Sequence, residues 1–314
     1  MTRAFLFPGQ GSQTVGMGRA LSESFAAARE VFEEIDEALN QNLSRLMWEG
    51  PDSDLTLTQN AQPAIMAASI AVIRVLTREA GLDLSRHARL AAGHSLGEYS
   101  ALCAAGSLTL ADAARLLRTR GVAMQEAVAP GEGAMSALIG IEVSDAEGAA
   151  TESAAQGGVC VVANDNAPGQ VVISGTKDAV ERAGQFAKEK GARRVMPLSV
   201  SAPFHSPLME PAAAKMRDAL NGVTIRPPAV PIVSNVTATE TSEPDLIRQL
   251  LIEQVTSRVR WRESILSLRS LGVEMTVEAG GGKVLTNMVK RIDAELTLVP
   301  LDSAADIEAF AKTL

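Results

Sequence analysis

The stretch LAAGHSLGE, residues 90–98, places an apolar strand, a glycine-flanked serine and the start of a helix in direct succession. Its spacing, Gly93-x-Ser95-x-Gly97, fits a serine on a sharp turn between a strand and a helix. Side chains two residues before and after that serine would crowd the turn, and glycine removes them. Such a turn exposes the serine oxygen and directs backbone N–H groups at the helix start toward an acyl oxygen. A glycine-flanked turn that merely contains a serine remains the alternative.

Apolar strands alternate with helical stretches around this turn, which is typical of an α/β protein. We expect strands at 4–7, 90–92, 231–235 and 275–278. We expect helices at 22–39, 62–79, 109–127, 244–255, 261–271 and 283–292. Ser22 is the expected N-cap of its helix, and Pro63 is expected in the first turn of the next.

A different order of elements occupies the middle of the chain, after the turn residues PGEG at 130–133. Strands at 134–139, 159–163, 170–174 and 193–198, with helices at 145–156 and 177–190, give the order β-α-β-β-α-β. That order is typical of a ferredoxin-like unit. We therefore predict an α/β fold in which a hydrolase-like main domain with a parallel sheet, residues 1–128 and 199–314, receives a ferredoxin-like subdomain, residues 129–198.

Composition and charge exclude several classes of function. The net charge is −8 and aromatic residues make up 3% of the chain, so nucleic acid and anionic membranes are poor partners. We expect no apolar run of transmembrane length and no signal-peptide core. Cys103 and Cys160 are expected to be small core residues, with no disulfide or metal site. We predict a soluble, cytoplasmic protein.

A serine nucleophile needs a base, and the chain has three histidines. The side chain of His94 is expected to point away from Ser95, and His87 lies in a polar loop. His205, in the proline-stiffened loop 201–207, is therefore the predicted base, with an ordinary pKa near ~6.5. A plain buried or surface histidine is the alternative. Because no carboxylate partner is evident, we expect a Ser–His dyad in which a neutral acceptor holds the imidazole.

Arginines cluster on the helix that follows the serine turn. Arg115 and Arg118 share one face of that helix and are expected to be solvated. Arg120 lies about 200° round the helix from Arg118 and is the one able to face inward. A buried guanidinium there would suit a substrate carboxylate.

Over almost its whole length, residues 5–292, the chain resembles the malonyl-CoA:acyl-carrier-protein transacylases of fatty-acid synthesis. The motifs that carry the resemblance include FPGQGSQ at 7–13, Gln62-Pro63, GHSLGE at 93–98, Arg120-Gly121, FHSPLM at 204–209, Gln254 and KVL at 283–285. One departure is GGG at 280–282, where the family usually has Gly-Pro-Gly, and this departure is expected to loosen a loop.

The resemblance implies a role for each site residue. It implies that Ser95 is the acylated nucleophile, that His205 is its base and that Arg120 holds the malonyl carboxylate. The remaining implied roles are oxyanion-hole N–H groups from Gln10 and Leu96, a carbonyl from Gln254 that orients His205, pocket lining by Gln62, His94 and Asn164, and malonyl selection by Phe204.

The resemblance also implies the partners. Malonyl-CoA and an acyl carrier protein would be the substrates, with the coenzyme A thioester as a substrate and no cofactor, and we expect a monomer. An acidic carrier would require a basic patch, with candidates at Lys188, Lys190, Arg193 and Arg194 or at Lys283, Lys290 and Arg291. A serine hydrolase or thioesterase, a non-catalytic binding module, and a transacylase of a polyketide or malonate-decarboxylating system remain the alternatives.

Overall fold

The structure, a computed structural model, describes residues 1–200 and 202–314. Ser201, the first residue of the loop that carries His205, lies outside the described residues. The strands, numbered in chain order, are β1 (Arg3–Phe7), β2 (Leu90–Gly93), β3 (Gly133–Ile139), β4 (Cys160–Ala167), β5 (Gln170–Thr176), β6 (Arg194–Pro197), β7 (Ile232–Val233), β8 (Glu240–Thr241), β9 (Met275–Ala279) and β10 (Thr297–Leu301).

The helices surround two separate sheets. They are α1 (Arg19–Ser24), α2 (Ala26–Leu39), α3 (Leu43–Glu49), α4 (Asp52–Leu55), α5 (Thr58–Ala80), α6 (Leu84–His87), α7 (Gly97–Ala104), α8 (Leu110–Glu126), α9 (Val143–Ala155), α10 (Lys177–Glu189), α11 (Glu210–Asn221), α12 (Pro244–Gln254), α13 (Trp261–Ser270), α14 (Val284–Ile292) and α15 (Ala304–Ala311). A short 3₁₀ turn, Pro207–Met209, precedes α11.

The main sheet has the strand order β10-β9-β1-β2-β7-β8, and only β8 runs antiparallel to its neighbour. Its side chains alternate between two apolar layers, as strand geometry requires. Phe5 and Phe7 of β1 enter the larger core, with α2, α5 and α8, whereas Ala4 and Leu6 enter a second core with α13 and α14. The predicted α/β class with a parallel main sheet is confirmed.

The smaller sheet is antiparallel, with the order β4-β5-β3-β6. One of its faces is covered by α9 and α10, against which Leu138 and Ile173 pack. Met135 and Val172, at alternating positions, point the other way and join the core of the main sheet. One face of this sheet therefore forms a wall against the main sheet.

Helix α5 is long and apolar enough to cross a membrane by length and composition alone, which the sequence analysis did not expect. However, 89% of its apolar window is buried inside the protein. It contacts α2 and α8 and packs as a core helix.

Several sequence-based boundaries were wrong. The helix expected at 22–39 is divided by Phe25, whose backbone is extended, so Ser22 lies inside α1 and is not an N-cap. Helix α5 begins at Thr58, which places Pro63 in its interior. Strand β10 and helices α11 and α15 were not anticipated. These pieces depend on what they pack against more than on local pattern, because tertiary packing supplies most of the stability of short elements.

The glycine triplet at 280–282 has positive φ at every position, 74°, 70° and 83°. Proline is restricted to φ near −65° and could not take the conformation of Gly281. The loop between β9 and α14 therefore follows a path that the family's usual Gly-Pro-Gly would not allow.

Candidate active site

Ser95 lies on a tight turn where β2 ends and α7 begins. Its backbone φ is 53°, in the left-handed region that residues other than glycine rarely adopt. A Cβ on Gly93 would lie 1.9 Å from the carbonyl carbon of Gly97, and one on Gly97 would lie 2.1 Å from the carbonyl oxygen of Phe7. The turn can therefore be this tight only with glycine at both positions. This is the steric reason for the glycine spacing.

His205 lies in the loop after the smaller sheet, and its side chain contacts Ser95. The Ser95 Oγ to His205 Nε2 distance is 2.8 Å, and His205 Nδ1 lies 2.9 Å from the backbone oxygen of Gln254. A carbonyl oxygen can only accept, so Nδ1 carries the proton and Nε2 is left to accept the Ser95 hydroxyl proton. The neutral acceptor expected for the dyad is thus the Gln254 carbonyl.

Burial, together with the smaller effect of the nearby Arg120 charge, lowers the pKa of His205 to about 3. The sequence-based expectation of a pKa near the ordinary value was therefore wrong. It failed because His205 is 4% exposed and faces a buried cation that is distant in the sequence. His205 is neutral at physiological pH, which is the form a base needs.

Arg120 is buried, with 1% exposure, and its guanidinium is held by three side chains of the site. Nη1 donates to Gln62 Oε1 at 2.9 Å, and Nη2 donates to Gln254 Oε1 at 2.8 Å and to Ser95 Oγ at 3.0 Å. Burial lowers the pKa of Arg120, yet a guanidinium stays charged at neutral pH. A fixed positive charge therefore stands at hydrogen-bond distance from the serine oxygen.

Arg118 differs from the sequence-based expectation of a solvated side chain. It is half-buried and donates to Asn60 Oδ1 at 3.0 Å and also to Gln41 Oε1. It therefore ties α8 to α5, whereas Arg115 remains exposed. Face assignment on a helix cannot show which neighbouring helix covers that face.

A cavity of about 330 Å³ opens over Ser95. The main domain contributes the loop after β1 and the serine turn, and the smaller sheet contributes Met135 and Val172. Those of the predicted residues that line it are Gln10, Gln62, His94, Ser95, Leu96, Arg120, Asn164, Phe204 and His205. Among the described residues, none accepts a hydrogen bond from the backbone N–H of Gln10 or of Leu96.

His94 lines the cavity but turns its ring away from Ser95. Its Nε2 lies 2.8 Å from Asn166 Oδ1, and its ring packs on Trp261 with centroids 5.5 Å apart. Sequence reasoning missed Asn166. It lies two residues after Asn164 on β4, and strand periodicity alone puts the two on one face.

Two further buried residues were missed as members of the site. Asn235 accepts from the Ser95 backbone N–H at 2.7 Å and donates to the Gly93 carbonyl at 2.7 Å. Glu98 accepts from Gln254 Nε2 at 2.7 Å. Asn235 lies two residues after the apolar residues of β7, at the sheet edge where Ser95 lies, and this position was the available signal.

Known proteins are similar to this chain over almost its whole length. The family model for the acyl transferase domain matches residues 4–302. A malonyl CoA-acyl carrier protein transacylase of Bacillus subtilis is 46% identical over 99% of this chain and 96% of its own length.

Solved structures agree with that relationship. The crystal structure of the acyl-carrier-protein S-malonyltransferase of Bartonella henselae superposes with a TM-score of 0.97 at 52% identity, covering 100% of this chain and 99% of the other. A malonyl-transacylase in complex with its type II PKS acyl-carrier protein superposes with a TM-score of 0.96 at 40% identity, and each chain is covered in full, 100%.

The site pairs a serine on a turn between a strand and a helix with a histidine at the edge of a parallel sheet. Together with the match to the acyl transferase family model, this site defines the protein as an acyltransferase. Within that class, the chain belongs to the malonyl CoA-acyl carrier protein transacylase family.

Proposed function

We propose that the protein transfers a malonyl group from malonyl-CoA to the phosphopantetheine thiol of an acyl carrier protein through a malonyl-Ser95 intermediate. The observation that carries the proposal is the Arg120 guanidinium, buried and 3.0 Å from Ser95 Oγ. An acyl group that ends in a carboxylate would place its charge on this guanidinium while its thioester carbon faces the serine. A plain esterase has no use for a buried cation at that place.

In the first half-reaction, Ser95 Oγ attacks the thioester carbon and its proton passes to His205 Nε2. The negative charge on the carbonyl oxygen would be received by the backbone N–H groups of Gln10 and Leu96, two residues that line the cavity. The carbon–sulfur bond then breaks, and coenzyme A leaves as a thiol with the proton from His205. Malonyl is left as an ester on Ser95.

In the second half-reaction the roles reverse. The pantetheine thiol of the carrier gives its proton to His205 and attacks the ester carbon, and Ser95 leaves with the proton returned. The chemistry needs only this chain, the coenzyme A thioester and the carrier thiol, in keeping with a reaction that uses no cofactor.

Arg120 would act on the base as well as on the substrate. Its positive charge contributes to the low pKa of His205. A bound malonyl carboxylate offsets that charge, which raises the basicity of His205 when the correct substrate is present. Acetyl-CoA brings no carboxylate and leaves the base weak.

The test is incubation with radiolabelled malonyl-CoA without carrier, followed by peptide mapping. We expect one label per chain, on the peptide that contains Ser95, and no label in Ser95→Ala. Addition of carrier should move the label to its pantetheine thiol. Release of free malonate as the main product would instead indicate a hydrolase, and a label on another residue would refute the intermediate.

The carrier is proposed to serve fatty-acid synthesis in the cytoplasm, with the protein acting as a monomer. The neighbour solved with a type II PKS acyl-carrier protein makes a polyketide carrier the comparison to include. Parallel kcat/KM values for carriers of both kinds decide between them.

A further inference from the structure

Glu98 lies in the first turn of α7, beneath the serine turn, and is 3% exposed. Its Oε2 accepts from the side-chain nitrogen of Gln254 at 2.7 Å and from the backbone N–H of Asn235 at 3.2 Å. Both of these partners hold the Ser95 peptide. Glu98 therefore joins two contacts that reach the nucleophile from different elements.

Hydrogen bonds hold both the backbone N–H and the carbonyl group of Ser95. Its N–H donates to Asn235 Oδ1 at 2.7 Å, and its carbonyl accepts from Gln254 Nε2 at 3.0 Å. A non-glycine residue at φ 53° is costly and persists only where its surroundings hold it. These two hydrogen bonds supply that restraint. Glu98 is the acceptor that Asn235 and Gln254 share.

The side chain of Gln254 also has a defined direction. Its oxygen accepts from Arg120 Nη2 at 2.8 Å, and its nitrogen faces Glu98. A reversed amide would set oxygen against the Glu98 carboxylate and N–H against a guanidinium that can only donate. Glu98 thus determines which end of the Gln254 side-chain amide faces Arg120.

We propose that Glu98 is a positioning residue, which holds the Ser95 peptide in its left-handed conformation and sets the Gln254 amide so that Arg120 points at the acyl group. The proposal rests on the proposed function, because it assigns Arg120 to the malonyl carboxylate. It extends that function by placing the control of malonyl selectivity on a carboxylate that touches neither substrate.

Electrostatics support the assignment. Burial raises the pKa of Glu98 to about 7, and the hydrogen bonds from Gln254 and Asn235 and the charge of Arg120 oppose the rise. Arg120 is the charged group that faces it from α8, and Tyr99 on its own helix is its other titratable neighbour. Gln254, Asn235 and Ser234 are uncharged. The carboxylate form of Glu98 is therefore lost as the pH falls through about 7.

The first test compares Glu98→Ala and Glu98→Gln for kcat/KM with malonyl-CoA and with acetyl-CoA. Removing the acceptor leaves buried donors unpaired, so Glu98→Ala should lose about 10-fold to 100-fold with malonyl-CoA. The loss with acetyl-CoA should be smaller, so the malonyl-to-acetyl ratio falls. Glu98→Gln keeps an acceptor oxygen but lacks the negative charge that faces the two donors and Arg120, so it should recover only part of the ratio and should match the protonated native protein.

The matched control is Glu278→Gln. Glu278 is equally buried, at 1% exposure, but caps the start of α14 and has no bond to Gln254 or Arg120 among those of the described residues. Its substitution should leave the malonyl-to-acetyl ratio unchanged. Equal losses on both substrates in Glu98→Ala would overturn the proposal. Absence of malonyl transfer by the native protein would instead refute the proposed function.

The second test remains available if Glu98→Ala does not fold. The rate of Ser95 malonylation by the native protein should fall as the pH drops through about 7, where Glu98 gains its proton. Glu98→Gln has no such proton to gain, so its rate should stay level over that range. A fall of the same size in Glu98→Gln would overturn the proposal.

Discussion

Ser95 and His205 share an unusual backbone state, since their φ angles are 53° and 56°. A non-glycine residue in the left-handed region costs on the order of 1–3 kcal/mol. The fold meets this cost at both residues. Ser95 and His205 are 110 residues apart in sequence, yet Ser95 Oγ and His205 Nε2 lie 2.8 Å apart. Such strain is expected where the position of a side chain matters more than local stability.

At the scale of residues, the first prediction concerns Arg120. Leaving one member of a buried ion pair alone costs about 3–5 kcal/mol, so Arg120→Ala should lose on the order of 10²–10³ in malonyl kcat/KM. Transfer of acetyl should survive or improve, because the charge that weakens His205 is removed. Arg120→Lys should recover part of the loss, since an ammonium lacks the guanidinium fork. Steady-state kinetics with both thioesters measure this, and equal losses on the two would make Arg120 purely structural.

A second prediction concerns His205. His205→Ala should reduce the rate of malonylation by about 10²–10⁴, the usual contribution of general acid–base catalysis. Because its pKa in the folded protein is about 3, His205 stays neutral as the pH falls from 8 to about 5. Its protonation should therefore not limit the rate over that range, which is best observed in Glu98→Gln. A rate that falls near pH 6.5 in that variant would contradict the low pKa.

At the scale of elements, β4 is fastened to the segment before α13. The backbone N–H of Asp165 donates to the Val259 carbonyl at 3.0 Å, and the N–H of Val259 donates to the Ala163 carbonyl at 2.8 Å. Asp165, whose side chain is 2% exposed, forms an ion pair with Arg262 of α13 at 2.9 Å. Because Asn164 and Asn166 flank Asp165, this junction sets one wall of the cavity.

The third prediction is that Arg262→Ala destabilises the protein at this junction. The Asp165 carboxylate would be left buried without its partner, at a cost of about 1–3 kcal/mol of unfolding free energy. Burial already raises the pKa of Asp165, and loss of Arg262 would raise it further, so the deficit should shrink as acid protonates the carboxylate.

Denaturant unfolding at neutral and acidic pH measures the effect. Arg45→Ala is the control, because its pair with Glu49 is exposed and should contribute below about 1 kcal/mol. A deficit that grows in acid would contradict the assignment.

At the scale of the whole molecule, the cavity lies between two sheets that follow different rules. The parallel sheet brings the loop after β1 and the serine turn after β2 to its carboxyl edge, where sites on open α/β sheets form. The antiparallel sheet contributes an apolar wall that includes Met135 and Val172. The serine turn therefore comes from the parallel sheet, whereas the antiparallel sheet supplies much of the enclosure.

The fourth prediction concerns association with the carrier. The chain has a net charge of −8, so an acidic carrier needs a local cation near the cavity, and exposed Lys283 precedes Val284 at its rim. Lys283→Glu should raise the KM for carrier by about 3-fold to 10-fold at low salt, with malonylation of Ser95 unchanged. Salt near 0.1 M should reduce the difference.

The matched control is Lys312→Glu, because it makes the same charge change. Lys312 lies at the end of α15 and does not line the cavity. An equal effect from Lys312→Glu would show that net charge alone is responsible. No effect from Lys283→Glu at low salt would place the docking surface elsewhere, with the group at residues 188–194 as the next candidate.

Features that depend on neighbours along the chain could be predicted from the amino-acid sequence. The glycines around Ser95 predict a turn too tight for other side chains at those positions. The order β-α-β-β-α-β predicts the smaller sheet. The helical phase of Arg120 predicts that it points inward, because the two-residue step from Arg118 places it about 200° round the helix.

Features that depend on burial and on charges distant in sequence could not be predicted in this way and follow from the packing of the elements. That packing places Gln62, Gln254 and Ser95 round Arg120, lowers the pKa of His205 to about 3, and covers Arg118. It also brings Glu98 and Asn235 together beneath Ser95. Local patterns follow from sterics within a few residues, whereas desolvation and electrostatics act through space and follow only from how the elements pack.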